Sequence, residues 1–470
     1  MGRVRCRGVD GMSGMRMDPL ERFRRAAAER AAVGLRRALR PRPAGGDGLL
    51  DLAGNDYLGL SRDPRVIAGA VAAARRWGAG STGSRLVTGS TALHAELEAE
   101  LAGFAGAGGA LVFSSGYLAN LGAVAALAAP GTLVVSDAAN HASIVDGCRL
   151  ARSRVVVVPH RDVAAVAAAL STRDEPDALV VTDAVFSVSG EVAPLAALHR
   201  VTRAHGALLL VDEAHALGVV GAGGRGAVPA AGLAGADDVI RTVTLSKSLG
   251  AQGGAVLGHP DLLAHLVDTA RPFMFDTGLA PAAAGAALAA LRVLRAEPDL
   301  ADRVRGIAAE LAATARRYLP HPPPATVPGR GDTATLPGRT ATDPADAATA
   351  RGDVDPRPGT HRPALDGTGT ALATGAGHRS RTATDAAGTG AAAGSAGGWT
   401  SAVVPVLLGD PDRAVLAAAL CAEHGLRVGC FRPPSVQPGR SCLRLTARAD
   451  LTGTDLARVD RAFATLAPAL

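Results

Sequence analysis

Short runs of apolar, mostly β-branched residues alternate with alanine-rich stretches between about residues 110 and 260. The runs are continuously apolar, which is the pattern of strands that are buried on both faces of a mostly parallel sheet. Strands of this kind separated by helices predict a doubly wound α/β domain. Seven strands are predicted, at 110–113, 132–137, 154–159, 178–183, 207–212, 239–246 and 254–258.

The pattern changes on both sides of this predicted sheet. Residues 1–17 have no periodicity and contain four methionines, so we expect a disordered extension, with a later methionine as an alternative start. An Arg- and Ala-rich pattern predicts a helical segment within 18–54. The large domain is then expected over 55–290, and a smaller C-terminal α+β domain over 291–470.

A stretch of 78 residues, from 321 to 398, interrupts the predicted C-terminal domain. It is rich in Pro, Gly, Thr, Ala and Asp, and it lacks Ile, Met, Phe, Tyr and Trp. Such a composition buries too little apolar surface to offset chain entropy, so we predict a disordered insertion. The hydrophobic pattern resumes with a strand at 401–408 and a helix around 411–424.

Composition excludes several classes of protein. The net charge is +6, but the arginines are scattered and only 3% of residues are aromatic, which disfavours nucleic-acid binding. The five cysteines form no CxxC pair, so neither a zinc site nor a disulfide framework is indicated. No run of about 18 apolar residues could span a bilayer. We expect a cytoplasmic protein with no metal and no membrane partner.

Lys247 is the only lysine of the chain, whereas arginine supplies the other 48 basic residues. Arginine keeps its charge at any accessible pH, but a lysine amine can lose its proton and act as a base or a Schiff-base nucleophile. A lysine needed only for its charge could have been replaced by arginine. Lys247 is therefore a candidate catalytic residue, with an ordinary surface lysine as the alternative.

Three polar segments follow predicted strands: SDAANHASI at 136–144, VDEAHALG at 211–218 and TVTLSKSLG at 242–250. Ligands of such sheets bind beyond the carboxyl ends of the strands, so we expect these segments to converge. They contain what a site for pyridoxal 5′-phosphate (PLP) needs. Lys247 would bind the aldehyde, Asp212 the pyridine nitrogen and His215 the phenolic oxygen, and His141 would stack on the ring.

The phosphate of PLP needs hydrogen-bond donors. Ser115, Gly116 and Tyr117 begin a predicted helix, and the N-terminal amides of a helix form an anion site. Thr244 adds a hydroxyl three residues before Lys247. Taken singly, each of these residues also has an ordinary structural interpretation, such as a helix cap or a buried hydrogen-bonding histidine; their joint order carries the prediction.

The sequence also excludes two other enzyme classes, the P-loop ATPases and the GxSxG serine hydrolases. The DEAH letters at 212–215 resemble a Walker B motif, but a P-loop needs GxxxxGK[ST], and Arg241 and Ser246 occupy its glycine positions. Lys247 also lies after the DEAH segment instead of before it. A serine hydrolase of the GxSxG type is excluded because that motif is absent.

The sequence that contains these residues resembles the α-oxoamine synthases, a family of fold type I PLP enzymes. The resemblance covers roughly residues 20–320 and 400–465. The motifs that carry it are NDYLGLS (55–61), GSTGSRLVTG (80–89), HAELE (94–98), SSGYLANLG (114–122), NHASIVDG (140–147), TDAVFSVSGE (182–191), VDEAHALGVVGAGGRG (211–226), TLSKSLG (244–250) and FRPPSVQPGRSCLRLT (431–446).

The resemblance implies the same PLP contacts for Lys247, Asp212, His141 and His215, and it adds further residues. Arg444 matches the arginine that holds the carboxylate of the amino-acid substrate, a bidentate task suited to guanidinium. The remaining implied residues are Asn55 and Ser187 as substrate contacts, with Ser187 also near the cofactor, Arg36 near the acyl chain, and Thr277 at the phosphate of the neighbouring subunit in a homodimer.

Within the family, the final motif is most similar to members that join L-alanine to a pimeloyl thioester in biotin biosynthesis, with CoA or acyl-carrier protein as carrier. The alternatives are glycine with acetyl-CoA, glycine with succinyl-CoA, and serine with a long acyl thioester. A non-catalytic paralogue that keeps the fold as a binding protein is the alternative of another class. The sequence departs from the family at Asp183, Ser189, Gln437 and Cys442, which bears on substrate preference.

Overall fold

The computed structural model describes residues 18–32, 36, 39, 41–319, 401–433 and 435–470. The predicted extension 1–17 and the predicted insertion 321–398 lie outside the described residues. No helix in the described part of the chain is long and apolar enough to cross a membrane.

Eleven strands form two sheets in the described residues. The strands are β1 (Leu50–Leu52), β2 (Gly109–Phe113), β3 (Thr132–Asp137), β4 (Arg154–Val158), β5 (Asp177–Asp183), β6 (Leu208–Asp212), β7 (Val239–Thr244), β8 (Gly254–Gly258), β9 (Val403–Gly409), β10 (Leu426–Phe431) and β11 (Ser441–Thr446). The seven predicted strands are all present, with ends that differ by at most two residues.

The larger sheet has seven strands in the order β2-β8-β7-β6-β5-β3-β4. Strands β4, β3, β5, β6 and β7 pair in parallel, and β8 pairs antiparallel with both β7 and β2. Strand β2 therefore runs in the same direction as β7. The carboxyl ends of six strands consequently meet at one edge of the sheet, as the sequence predicts.

Helices cover both faces of this sheet, which explains the continuously apolar strands. In β3, Leu133 and Val135 pack into one hydrophobic cluster, and Val134 between them packs into the other. Strand side chains point alternately to opposite faces, so a strand covered on both sides must be apolar at every position. The prediction of a doubly wound α/β fold is confirmed.

The described residues also form fourteen α-helices. They are α1 (Glu21–Ala32), α2 (Pro64–Trp77), α3 (Ala92–Ala105), α4 (Gly116–Leu127), α5 (Ala142–Ala151), α6 (Val163–Ser171), α7 (Leu195–Ala204), α8 (Ala227–Ala230), α9 (Pro260–Thr269), α10 (Arg271–Phe275), α11 (Pro281–Ala296), α12 (Leu300–Tyr318), α13 (Pro411–Glu423) and α14 (Gly453–Leu466). Helices α4 and α5 begin at the sheet edge that carries the candidate site, directly after the ends of β2 and β3.

The second sheet joins segments from both ends of the chain, in the order β1-β10-β11-β9. Strand β1 pairs in parallel with β10, so that Leu50 lies beside Leu426. The hydrophobic pattern predicts no strand at residues 50–52, because three residues are too few to show a period. This pairing brings the NDYLGLS segment next to β11, which carries Arg444.

Candidate active site

Lys247 lies three residues after the end of β7, beside His215 from the loop after β6. The Lys247 Nζ and His215 Nε2 atoms are 2.9 Å apart. Burial is the main cause that lowers the pKa of the Lys247 amine to about 8, against an opposing effect of Asp212. Burial also holds the pKa of His215 well below its ordinary value, so the ring is neutral. A neutral lysine amine is thus accessible at mildly basic pH.

Asp212 ends β6 and is held by two hydrogen bonds. Its Oδ1 accepts from the backbone N–H of Ala214 at 2.8 Å, and its Oδ2 accepts from Asn120 Nδ2 at 2.7 Å. The Asn120 Oδ1 atom accepts in turn from Thr242 Oγ1 at 2.6 Å, on the adjacent strand β7. The carboxylate is therefore fixed in position and buried, as a partner for a protonated pyridine nitrogen must be.

His141 lies at the N-terminus of α5, directly after the loop that follows β3. Its Nδ1 atom is 2.7 Å from Ser143 Oγ, and Ser143 also accepts from Asn120 Nδ2 at 2.9 Å. Asn120 thus connects the His141 ring and the Asp212 carboxylate. Burial lowers the pKa of His141, which favours the neutral, stacking form of the ring.

The predicted phosphate donors come together around the N-terminus of α4. Ser115 caps this helix, because its Oγ accepts from the Leu118 N–H at 3.2 Å. A Cβ atom on Gly116 would lie 3.0 Å from the Thr244 Cβ, so Thr244 contacts the first turn of the helix. The Thr244 hydroxyl is 2.7 Å from that of Ser246. This arrangement of amides and hydroxyls suits a phosphate.

Tyr117 and Thr277 stand apart from these donors. The Tyr117 side chain is exposed and its hydroxyl donates to Asp146, so its predicted phosphate contact rests on the backbone N–H at the start of α4. Thr277 pairs with Ser84 in an isolated antiparallel bridge. Its predicted role at the phosphate of a neighbouring subunit stays a prediction.

Arg444 brings the two sheets together at the candidate substrate position. Its Nη1 donates to the Ser187 carbonyl at 3.1 Å, and its Nη2 donates to the Ala53 carbonyl and to Asn55 Oδ1 at 3.1 and 3.0 Å. Its Nε is buried without a hydrogen-bond partner in the described part of the chain, and every contact above is with a neutral acceptor. A buried guanidinium held only by neutral groups is suited to bind a carboxylate.

Arg36, the predicted contact of the acyl chain, has no described contact with this site. Arg36 is exposed, and its neighbours 33–35 and 37–38 lie outside the described residues. Its contact with an acyl chain stays a prediction. The other two, Asn55 and Ser187, are brought to Arg444, Asn55 through its side chain and Ser187 through its backbone carbonyl.

Three residues near the site were missed by the sequence analysis. Asn120 bonds both Asp212 and Ser143, Tyr57 has its hydroxyl 2.6 Å from His215 Nδ1, and the ring of Phe431 lies 4.9 Å from the Arg444 guanidinium carbon. All three lie within the motifs that carry the family resemblance. A buried polar residue on an otherwise apolar helix, as Asn120 is on α4, was the available signal.

The donor set fits PLP. It combines a half-buried lysine of lowered pKa, a fixed carboxylate, an imidazole and the N-terminus of a helix, all at one sheet edge. Asp183, the partner of Asp212 on the neighbouring strand, is buried and its Oδ2 has no hydrogen-bond partner among the described residues. In the described residues, no group of three or more His, Cys, Asp or Glu side chains could hold a metal ion.

Residues 47–326 match the family described as aminotransferase class I and II. The chain belongs to this family. Among curated relatives, 8-amino-7-oxononanoate synthase of Mycobacterium sp. (strain KMS) is 52% identical over 95% of this chain and 97% of the relative. The enzyme of the same name from Mycobacterium tuberculosis (strain ATCC 25177 / H37Ra) is 52% identical over 91% of this chain and 90% of the relative. The resemblance to α-oxoamine synthases is thereby confirmed.

Solved structures of family members share the fold. Serine palmitoyltransferase of Sphingomonas wittichii has a TM-score of 0.74 at 28% identity, over 96% of this chain and 98% of that one. A high-resolution structure of SPT with PLP gives a TM-score of 0.75 at 27% identity, over 96% and 99%. The 8-amino-7-oxononanoate synthase of Francisella tularensis gives a TM-score of 0.63 at 20% identity over 90% and 98%, and supports the fold alone. The predicted fold type I class is confirmed.

Proposed function

We propose that this family member is a PLP-dependent acyltransferase of biotin biosynthesis. It condenses L-alanine with a pimeloyl thioester, carried by CoA or acyl-carrier protein, to form 8-amino-7-oxononanoate, CO2 and a free thiol. The curated relatives at 52% identity over most of the chain support this substrate pair. The observation that carries the chemistry is the only lysine of the chain, which is half-buried, has a pKa of about 8 and lies beside a neutral His215.

PLP, when bound, supplies an electron sink that stabilises negative charge at the α-carbon of the amino acid. Asp212 would keep the pyridine nitrogen protonated, and its two hydrogen bonds hold the carboxylate in place for this. His141 would cover one face of the ring, while the first turn of α4 and Thr244 would hold the phosphate. His215 would serve the phenolic oxygen.

Lys247 has two tasks in this proposal. It anchors the cofactor, and once alanine has taken its place the free amine removes the α-proton of alanine at Nζ. A pKa of about 8 makes the amine basic enough to take the proton and still partly unprotonated near neutral pH. Arginine can fill neither role, because it does not lose its proton.

Arg444 orients the substrate. Its guanidinium would bind the alanine carboxylate. The hydrogen bonds from Arg444 to the Ser187 carbonyl and to Asn55 Oδ1 hold the guanidinium in position. The α-carbon of alanine, which has lost its proton to Lys247, then bonds to the thioester carbonyl carbon while the carbon–sulfur bond breaks, and the thiolate leaves and takes up a proton. The carboxylate is lost as CO2, and a proton takes its place on the α-carbon. Arg444 is buried and its hydrogen-bond acceptors are neutral, which strengthens its hold on an anion.

The proposal is tested with purified protein and added PLP. We expect a visible absorption band, and faster thiol release from L-alanine with pimeloyl-CoA than from glycine or serine with acetyl-, succinyl- or palmitoyl-CoA. Lys247→Arg should abolish both signals. A clear preference for glycine or serine would contradict the substrate assignment, and the absence of any band would contradict the PLP assignment.

The enzyme is a homodimer in which Thr277 of one subunit contributes to the other subunit's phosphate site, as the family resemblance implies. A cytoplasmic location remains the expectation from the sequence. Size-exclusion chromatography with light scattering tests the first, and a Thr277→Ala variant with weaker PLP binding would support the shared site.

A further inference from the structure

Tyr57 connects the two halves of the candidate site through one hydroxyl group. The residue follows β1 and is fully buried. Its hydroxyl oxygen lies 2.6 Å from His215 Nδ1 and 3.1 Å from Asn55 Oδ1. A tyrosine hydroxyl has one proton, so Tyr57 can donate to only one of these two atoms at a time. Burial raises the pKa of Tyr57, which keeps this proton on the hydroxyl.

His215 has the same restriction, because its ring is neutral and carries a single proton. The Nδ1 atom faces Tyr57, and the Nε2 atom is 2.9 Å from Lys247 Nζ. Asn55 Oδ1 already accepts from Arg444 Nη2 at 3.0 Å. Lys247, His215, Tyr57 and Asn55 thus form a series of hydrogen bonds, in which the direction of each bond fixes the direction of the next one.

A protonated Lys247 sets one direction. An ammonium group only donates, so His215 Nε2 must accept from it and the ring proton must lie on Nδ1. The Nδ1–H then donates to the Tyr57 oxygen, and Tyr57 donates to Asn55 Oδ1. Each of the three hydrogen bonds from Lys247 to Asn55 then has one donor and one acceptor.

A Lys247 whose nitrogen is bonded to the cofactor sets the other direction. The ammonium no longer exists, so Nε2 is free to carry the ring proton and to donate to an oxygen acceptor. The Nδ1 atom then needs a donor, and the Tyr57 hydroxyl supplies it over the shorter of its two contacts, 2.6 Å. Asn55 keeps its hydrogen bond from Arg444.

We infer that Tyr57 is a positioning residue whose hydroxyl accepts from His215 Nδ1 when Lys247 is free and donates to it when Lys247 is bonded to PLP. His215 can then change tautomer without leaving a buried ring nitrogen unpaired. This inference rests on the proposed function, since it requires Lys247 to bind PLP. It assigns a task to a residue that touches neither substrate nor cofactor in the scheme above. Its physical basis is the cost of a buried polar atom without a partner.

The test is ¹⁵N NMR of the wild-type protein labelled at histidine, with and without PLP, at pH 7. The chain has 12 histidines, and a His215→Asn variant identifies the His215 signals by their loss. We expect the ring proton on Nδ1 in PLP-free protein and on Nε2 in PLP-loaded protein. The same tautomer in both states would overturn the inference while leaving the proposed function intact. Failure to bind PLP would overturn the proposed function and the inference with it.

Tyr57→Phe gives a second readout because it keeps the ring and removes only the hydroxyl. We expect the Nδ1 resonance of PLP-loaded protein to move to the position of a nitrogen without a hydrogen bond, and kcat to fall about tenfold, the equivalent of one buried bond left unmade. Tyr318→Phe is the matched control, because it removes a hydroxyl bonded to Asp460 in α14. An unchanged Nδ1 resonance in Tyr57→Phe would contradict the inference.

Discussion

Asp183 and Asp212 are register partners at the ends of the neighbouring parallel strands β5 and β6, and both carboxyl groups are buried. Their surroundings differ. Asp212 accepts two hydrogen bonds of 2.7 and 2.8 Å, whereas Asp183 accepts one long bond of 3.4 Å from the His141 N–H, and its Oδ2 accepts none in the described part of the chain. Burial, and then the charge of Asp212, raise the pKa of Asp183 well above its ordinary value. The Asp183 carboxyl group is therefore protonated more readily than an ordinary aspartate.

These different surroundings predict different effects of the two asparagine variants. Asp183→Asn replaces a protonated acid by a neutral group of the same shape, so PLP affinity should stay within about threefold. Asp212→Asn removes the charge that faces the pyridine nitrogen, and PLP affinity and turnover should fall at least about a hundredfold. Absorbance titrations with PLP measure both. Equal losses in the two variants would show that the charge is shared.

The lowered pKa of Lys247 predicts how cofactor binding depends on pH. Only the neutral amine attacks the PLP aldehyde, and with a pKa of about 8 roughly a tenth of the amine is neutral at pH 7 and nine-tenths at pH 9. The rate at which PLP-free enzyme gains its visible band should therefore rise through this range and level off above it. A rate that keeps rising to pH 10 would indicate an ordinary, solvated lysine.

Arg444→Lys should separate substrate binding from cofactor binding. Lysine keeps the positive charge but loses the planar pair of donors, so the KM for L-alanine should rise about tenfold to a hundredfold while PLP affinity is unchanged. Arg448→Lys is the matched control, because Arg448 pairs with Asp450 through bonds of 2.8 and 2.9 Å. Loss of PLP affinity in Arg444→Lys, with KM unchanged, would contradict the assignment.

Glu213, the second letter of the DEAH segment, is predicted to act in stability and not in catalysis. It forms a buried ion pair with Arg241 of β7 and also accepts from the Val228 N–H at 2.8 Å. Glu213→Gln leaves the Arg241 charge buried without an anionic partner, which should lower the free energy of unfolding by about 3–5 kcal/mol. Urea denaturation followed by circular dichroism measures this difference.

The control for that experiment is Glu175→Gln. Glu175 pairs with Arg154 at the protein surface, where screening by water leaves an ion pair with little effect on stability. Its unfolding midpoint should hardly move. A Glu213→Gln variant that is as stable as Glu175→Gln would mean that the Ala105 and Arg225 carbonyls, which already accept from Arg241, are enough to stabilise its buried charge.

The sequence by itself determined the large sheet and the residues at its edge. Strands buried on both faces must be apolar at every position, so a run such as 178–183 identifies β5 without knowledge of its partners. Lys247, Asp212 and His141 were found for a related reason. Parallel strands end at a common edge, and a polar residue that follows each apolar run must lie there.

Only the tertiary structure decided which residues surround those groups. Asn55 and Arg444 are 389 positions apart, and they meet because the three residues of β1 pair with β10 in the second sheet. Tyr57 reaches His215 across 158 positions by the same route. The periodicity of apolar residues along the chain indicates whether a residue is buried, but it does not indicate which residues it packs against. Contacts between distant segments therefore leave no local signal, and the partners of Lys247 beyond Asp212 and the two histidines depended on the fold.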